Sequence, residues 1–237
     1  MPEKPPDLGQ LFHQLQHGEL ERDQLATVPL DPSLALLRTW QADRLARTYA
    51  DLLENPSFAP ACQFFLSDIY APRDFSQRDR DAEHMHSLLS RIMPAPTLKA
   101  FTDLIELNRL TQELDAALCQ VLVQQLGMTE TLTGEMYAEA YRCCDNRTER
   151  ESQIQLIQKL LIAVGEVAQM WGTGTVLKVA RGPVHRGGYG ELFDYTERGY
   201  IAFKPMRNYK TFAAIVARRE NEILSRIFQG HPDPFAL

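Results

Sequence analysis

Apolar side chains recur every three to four residues along most of the chain, which is the spacing of one buried helical face. The most regular example spans residues 97–126 and is followed by Gly127, a typical residue just after the end of a helix. Its apolar positions are Leu107, Leu110, Leu114, Leu118, Val121 and Leu122. No stretch alternates apolar and β-branched residues for long enough to predict a strand. The pattern predicts an all-α protein, a bundle of about eight helices with irregular helical segments towards the C-terminus.

Proline, glycine and short polar residues indicate where the helices begin. Asp31 before Pro32 is a typical helix start, with the carboxylate as N-cap and the proline at the first helical position. This first strong helix is predicted to continue to Asn55. Further starts are predicted at Ser57, Asp74, Thr129 and Thr148. In the glycine-rich C-terminal region, helices are predicted at 175–181, 190–204 and 209–228.

The chain is predicted to form a single helical domain over residues 1–237, a length that is sufficient for one sizeable core. Residues 1–6 are predicted to be a disordered leader, because they are rich in proline and charge. The best candidate boundary is the glycine-rich stretch 172–190. If the chain divides there, residues 175–237 form a C-terminal helical subdomain that packs back on the rest.

The composition is that of a globular protein, with 44% hydrophobic and 24% charged residues. The net charge of −6 argues against nucleic-acid binding, which requires a basic surface. The charge is nevertheless uneven, because residues 174–237 contain ten Lys or Arg and six Asp or Glu. This basic excess either complements the acidic remainder of the chain or forms a modest anion site.

The cysteines and the apolar runs bear on the compartment. The four cysteines include no C-x-x-C pair, which favours free thiols in a reducing compartment and no structural zinc. The N-terminal residues lack the charged-then-apolar layout of a signal peptide. No apolar run approaches the roughly 18 residues that a membrane span requires. We therefore expect a cytoplasmic protein that does not bind a membrane.

A charged and aromatic stretch at residues 64–79 combines a predicted helix break at Ala71-Pro72 with two Arg-Asp pairs. The planar guanidinium group of arginine matches a carboxylate through two parallel hydrogen bonds. The two pairs therefore either lock the corner between two helices or face a cleft in which arginine binds an anionic ligand. The ligand-binding candidates are Tyr70, Arg73, Asp74, Arg78, Asp79 and, on the helix that follows, Asn108.

A polar strip runs along the predicted helix 97–126. Asn108, Thr111 and Asp115 are spaced by three and four residues, so they share one side of the helix next to its apolar face. Such a strip has two interpretations. It either lines a cavity or marks a boundary where the helix meets a neighbour and satisfies backbone groups of a loop.

One short motif has the spacing of a metal site. Glu83 and His86 form a Glu-x-x-His sequence, which places a carboxylate and an imidazole on one helical face. Di-iron and di-manganese bundles use two such motifs with two further glutamates, and Glu106 could supply a carboxylate here. Only one copy of the motif occurs, so a solvated helix face is the simpler interpretation. We expect no cofactor, with a di-iron centre or a haem as the alternative.

The residues Phe64-Phe65-Leu66, Tyr70, Asp74-Phe75 and Arg78-Asp79 together resemble the signature of a group of uncharacterised bacterial proteins. That signature reads FFL-x-x-x-Y-G-x-x-D-F-x-x-R-D, and Ala71 stands here where the signature has glycine. The resemblance extends through the helix that contains Glu106 and to residues 230–235. It implies a bacterial, cytoplasmic, helical protein with no established activity and no assigned catalytic residues.

The sequence leads to one main functional hypothesis and two alternatives. The main hypothesis is a non-catalytic helical protein that binds a partner or a small ligand in a regulatory role. It rests on the lack of a complete catalytic motif, such as the G-x-S-x-G of hydrolases. The first alternative is an enzyme with a metal-dependent, haem-oxygenase-like or ferritin-like site inside the bundle. The second is a homodimer that buries an apolar helix face.

Overall fold

The computed structural model describes residues 31–69, 95–186 and 188–236, and all regular secondary structure in these ranges is helical. The nine α-helices within the described ranges are α1 (Pro32–Thr48), α2 (Ala50–Glu54), α3 (Ala59–Phe64), α4 (Ala95–Gln124), α5 (Gly134–Cys144), α6 (Arg147–Gln169), α7 (Thr173–Arg186), α8 (Gly190–Phe203) and α9 (Tyr209–Phe228). One π-helical turn, Phe65–Ile69, follows α3 directly. The predicted all-α bundle is confirmed for this part of the chain.

Several helix ends follow the predicted signals. The carboxylate of Asp31 accepts hydrogen bonds from the backbone N–H groups of Ser33 at 2.9 Å and Leu34 at 3.2 Å, and Pro32 occupies the first helical position. Gly127 beyond α4 and Gly230 beyond α9 both have a φ of +69°, in the left-handed region that glycine tolerates. The long helix predicted over 97–126 is observed as α4.

Three predicted starts are wrong. The N–H of Ser57 donates to Asn55 Oδ1, so Ser57 belongs to a turn and α3 starts after Phe58. Thr133 rather than Thr129 caps α5, since its hydroxyl accepts from the N–H of Met136 at 3.2 Å. Helix α6 already begins at Arg147, with no side-chain cap, so the capping box predicted at Thr148 does not form. The predicted start at Asp74 lies outside the described residues.

Two helices also differ in extent from the prediction. The helix from Asp31 is interrupted after Thr48, and the Thr48 carbonyl accepts from Arg219 Nη1 at 2.8 Å. This contact joins α9 to the break between α1 and α2. Helix α7 is longer than the predicted segment 175–181, since it runs from Thr173 to Arg186 and includes Pro183.

The core consists of apolar clusters that meet around the middle of the bundle. The largest joins α2, α3, α6, α8 and α9, with buried Cys62, Phe203 and Phe212 among its members. A second joins α1, α4 and α5 through Leu37, Leu118 and Tyr137. Two smaller clusters link α5 and α6 to α9. The C-terminal segment docks as well, because the Phe235 ring lies 5.3 Å from Trp40 and 5.9 Å from Tyr137 between centroids.

Helix α7 lies at the edge of this bundle, and none of its residues is buried. Large exposed apolar side chains accompany it: Met170, Trp171, Val176 and Val179. Within the described ranges, no single helix has both the length and the apolar composition to cross a membrane. Helices α6 and α7 meet these criteria only as a pair, and they are bent by 94° relative to each other.

Candidate functional site

The predicted Arg-Asp site cannot be placed in the structure. Tyr70, Arg73, Asp74, Arg78 and Asp79 all lie outside the described residues. The same is true of Glu83 and His86, so the metal hypothesis stays a prediction. Two candidates on α4 are described: Glu106 is exposed and Asn108 is half-buried. Within residues 31–69, 95–186 and 188–236, no three or more His, Cys, Asp or Glu side chains group to hold a metal ion.

A polar cavity of about 50 Å³ lies where the apolar clusters meet, between α1, α4, α5, α6 and α9. Its polar lining comprises Gln41, Arg44, Tyr49, Thr111, Asp115, Tyr137, Tyr141, Arg150, Gln153 and Glu220. Two members of the predicted strip, Thr111 and Asp115, therefore do line a cavity, whereas Asn108 is not part of its wall. Since each water molecule requires about 10–15 Å³ of space for its centre, the cavity has space for roughly three to five water molecules.

An ion pair between α1 and α9 forms one wall of the cavity. Arg44 Nη1 donates to both carboxylate oxygens of Glu220, at 2.6 and 2.8 Å. The Tyr49 hydroxyl donates to the same carboxylate at 2.8 Å. The exposed fractions of the Arg44 and Glu220 side chains are only 9% and 14%. This pair therefore holds one cation and one anion in a largely dehydrated position.

A chain of hydrogen bonds links α1, α4 and α5 at the same cavity. Gln41 Nε2 donates to Asp115 Oδ1 at 3.0 Å and lies 3.5 Å from the Tyr137 hydroxyl. The Tyr137 hydroxyl in turn donates to the hydroxyl of Tyr141 at 3.2 Å. Trp40 stacks on Tyr137 with 4.1 Å between ring centroids. These contacts fix the orientation of the polar side chains that face the cavity.

Arg150 projects into the cavity from α6 and is 3% exposed. Its Nη1 donates to Gln153 Oε1 at 3.2 Å, and its Nη2 donates to the Leu114 carbonyl at 3.1 Å. Gln153 continues to Thr111, whose hydroxyl accepts from Gln153 Nε2 at 2.8 Å. The guanidinium also lies over the Tyr141 ring, 4.4 Å from its centroid. Among the described residues Arg150 has no ion pair, so its partners are all neutral.

Three buried hydrogen-bonding atoms of these side chains have no partner in the described structure: Gln41 Oε1, Arg44 Nε and Arg150 Nε. Buried polar atoms are nearly always satisfied by protein, water or ligand. An unpaired buried group costs about 1–3 kcal/mol, and more if it is charged. The side chains that line the cavity therefore carry two unpaired cationic N–H donors and one unpaired amide acceptor.

Burial also changes the protonation of the site. Desolvation raises the pKa of Asp115, although the charges of Arg150 and Arg38 and the hydrogen bond from Gln41 oppose the shift. Desolvation likewise raises the pKa of Tyr137 well above that of an exposed tyrosine. Since arginine remains protonated in proteins, Arg44 and Arg150 both carry positive charge. Burial thus shifts Asp115 towards its neutral form relative to an exposed aspartate.

The raised pKa of Asp115 predicts a pH-dependent stability. The folded chain binds this proton more tightly than the unfolded chain, whose aspartate titrates at about 3.9. Asp115 thus contributes most to stability below about pH 4, and this contribution is lost as the pH rises towards the folded-state pKa. We expect the difference in unfolding free energy between wild type and Asp115→Asn to fall steadily from about pH 4 upwards, measured by urea denaturation. The exposed Asp43→Asn on α1 is the control, and equal slopes for both variants would contradict the shift.

Several polar members of the site were not among the predicted candidates, including Gln41, Arg44, Arg150 and Glu220. A signal for them is nevertheless present in the sequence. Gln41 lies four residues from both Leu37 and Leu45, and Arg150 lies four residues before Ile154, so both occupy positions on apolar helix faces. A polar residue on such a face indicates either a boundary position or a buried polar site.

Comparisons with known proteins give one result. No curated protein matches the chain, and no solved structure matches it. A family model described as a domain of unknown function, DUF8198, matches residues 21–234, which is most of the chain. The chain therefore belongs to the DUF8198 family.

Proposed function

We propose that this protein is a non-catalytic binding protein that holds a small polar ligand in the cavity between α1, α4, α5, α6 and α9. The observation that carries the proposal is the set of unpartnered buried atoms on side chains that line it, Gln41 Oε1, Arg44 Nε and Arg150 Nε. Such groups are costly in an unliganded core and become favourable contacts when a ligand pairs with them.

The size of the cavity limits the ligand. Sites for drug-sized molecules and cofactors usually measure about 300–1,000 Å³. The volume of about 50 Å³ here accommodates only a few non-hydrogen atoms. A haem does not fit this space, and the described residues of the wall include no histidine or cysteine. A small metabolite or ion with several hydrogen-bonding groups is the class of ligand that suits it.

The side chains around the cavity are held in place before any ligand arrives. Glu220 is fixed by Arg44 and Tyr49, and Asp115 is fixed by Gln41. A fixed polar wall lowers the ordering cost of binding. In a regulatory role, occupancy would change the stability of the contacts between α1, α6 and α9.

The enzyme alternative rests on residues outside the described ranges, above all Glu83 and His86. Metal analysis of the purified protein and of Glu83→Ala and His86→Ala variants tests it. Stoichiometric iron or manganese that is lost in both variants would favour an enzyme over a binding protein.

The source, the compartment and the oligomeric state of the protein can also be inferred. We infer a bacterial, cytoplasmic protein, in keeping with the four free cysteines, of which Cys62 is buried. A homodimer remains a hypothesis, supported by the exposed apolar side chains of Met170, Trp171, Val176 and Val179. Light scattering of the purified chain measures this directly, and a monomer at all micromolar concentrations would refute it.

The proposed function is tested by ligand-dependent stability. We expect at least one of four small probes, formamide, acetamide, acetate and glycolate, to raise the melting temperature of the wild type. Gln41→Met removes one of the unpartnered atoms while keeping a similar side-chain volume, and it should weaken this response. Gln120→Met on the exposed face of α4 is the matched control and should respond like the wild type. If wild type and Gln41→Met respond alike to all four probes, the cavity is not the binding site.

A further inference from the structure

The charge of Arg150 is the feature of the cavity that the binding proposal leaves unexplained. Only 3% of Arg150 is exposed, and its hydrogen-bond partners, Gln153 and the Leu114 carbonyl, carry no charge. Removing a cation from water without a counter-ion is strongly unfavourable, even after the surroundings relax. Contact with the Tyr141 ring offsets only part of that cost.

Neither carboxyl group in the described part of the cavity wall forms an ion pair with Arg150. Glu220 is already paired with Arg44 through both of its oxygens. Asp115 is the remaining carboxyl group in the wall, but it accepts from Gln41 and forms no ion pair among the described residues. Its burial favours the protonated, neutral form. In the part of the wall that the structure describes, Arg44 therefore has a carboxylate partner and Arg150 has none.

We propose that the cavity binds a small singly charged carboxylate-type anion, whose oxygens accept hydrogen bonds from the Nε–H groups of Arg44 and Arg150. The inference rests on the proposed function, because it names the ligand class of the same cavity. A guanidinium N–H and a carboxylate oxygen form one of the stronger hydrogen bonds available in proteins. One negative charge matches the single arginine that has no ion pair, whereas a phosphate dianion would bring a second negative charge into a buried position.

The third unpartnered atom refines the ligand further. Gln41 Oε1 is an acceptor and requires a donor from the ligand. A carboxylate that also carries a hydroxyl group supplies both the acceptors for the two arginines and a donor for Gln41. Hydrogencarbonate has four non-hydrogen atoms and glycolate has five, so both suit a space of three to five water molecules. The shared chemistry is a hydroxylated monoanion of this size.

The experiment follows 13C line broadening of labelled acetate, acetamide, glycolate and hydrogencarbonate as the protein is added. Acetate and acetamide have nearly the same shape and differ in charge, so we expect acetate to bind at least about 10-fold more tightly. Glycolate or hydrogencarbonate should bind more tightly than acetate. The comparison of glycolate with hydrogencarbonate shows which of the two hydroxylated anions the cavity prefers. Equal broadening for acetate and acetamide would overturn the charge argument while leaving the binding proposal intact. If none of the four probes binds, both proposals fail.

A pair of variants on α6 assigns the binding to the cavity. Arg150→Gln removes the uncompensated charge and should raise the dissociation constant of acetate about 10- to 150-fold, the effect of one hydrogen bond to a charged group. Arg147 lies one turn before Arg150, is exposed and pairs with Glu151. Arg147→Gln is the control, and acetate should bind it as it binds the wild type. Equal affinities for the two variants would overturn the inference. Should Arg150→Gln not fold, the comparison of acetate with acetamide on the wild type still decides the matter.

Discussion

Replacing Glu220 with alanine is expected to lower the free energy of unfolding by about 3–5 kcal/mol, the usual cost of breaking a buried ion pair from one side. The loss is large because Arg44 stays charged and buried when its partner is removed. The Tyr49 hydroxyl loses its closest acceptor in the same substitution. Urea denaturation followed by circular dichroism measures the effect, provided that the slope of the transition is unchanged.

A second carboxylate on the same helix provides the control. Glu222 pairs with Arg226 one turn away, but its side chain is 49% exposed. Exposed pairs of this spacing contribute about 0.3–0.5 kcal/mol, so Glu222→Ala should change stability very little. The double variant Arg44→Leu with Glu220→Leu should recover most of the loss, because it removes both charges together. Similar losses for Glu220→Ala and Glu222→Ala would mean that the Arg44 pair is solvated.

The helical architecture could be predicted because it depends on periodic and local signals. The apolar spacing along α4 and the Asp31-Pro32 start are properties of a few neighbouring residues, and both appear as expected. The wrong starts have equally local causes. Ser57 and Thr148 have the right chemistry for a cap, yet the chain around them enters the helix at a neighbouring residue. Where several polar residues follow one another, more than one of them can serve as the start of the helix.

The cavity could be predicted only in part, because its members come from five helices. Thr111 and Asp115 share one strip on α4, and their spacing indicates either a cavity wall or a boundary with a neighbouring helix; the structure places both in the wall. The pairing of Arg44 with Glu220 joins residues 176 positions apart, and no local pattern specifies it. Whether Arg150 has an ion-pair partner depends on every helix packed against it, and among the described residues it has none. This could not be inferred from α6 by itself.

The same helices that hold the site depend on a close approach between α6 and α9. Gly165 is buried on α6 directly opposite Tyr209, the first residue of α9. A Cβ atom added to Gly165 would lie 2.6 Å from the Cβ of Tyr209 and closer still to its ring. Rotation of the ring cannot relieve a contact with Cβ, so the backbone of α9 would have to move. The missing side chain of Gly165 is thus what permits this helix packing.

Gly165→Ala is therefore expected to destabilise the protein by about 2–3 kcal/mol, near the upper end of the usual cost of overpacking. This net loss arises although alanine favours a helix over glycine by about 1 kcal/mol. The matched control is Gly199→Ala, another buried glycine within a helix, whose added Cβ would lie 3.1 Å from the outer end of the Phe64 ring. A ring tip can shift, so the control should change stability by less than about 1 kcal/mol. Thermal denaturation of the two variants compares them directly. A Gly165→Ala protein as stable as the wild type would show that α6 and α9 do not pack this closely.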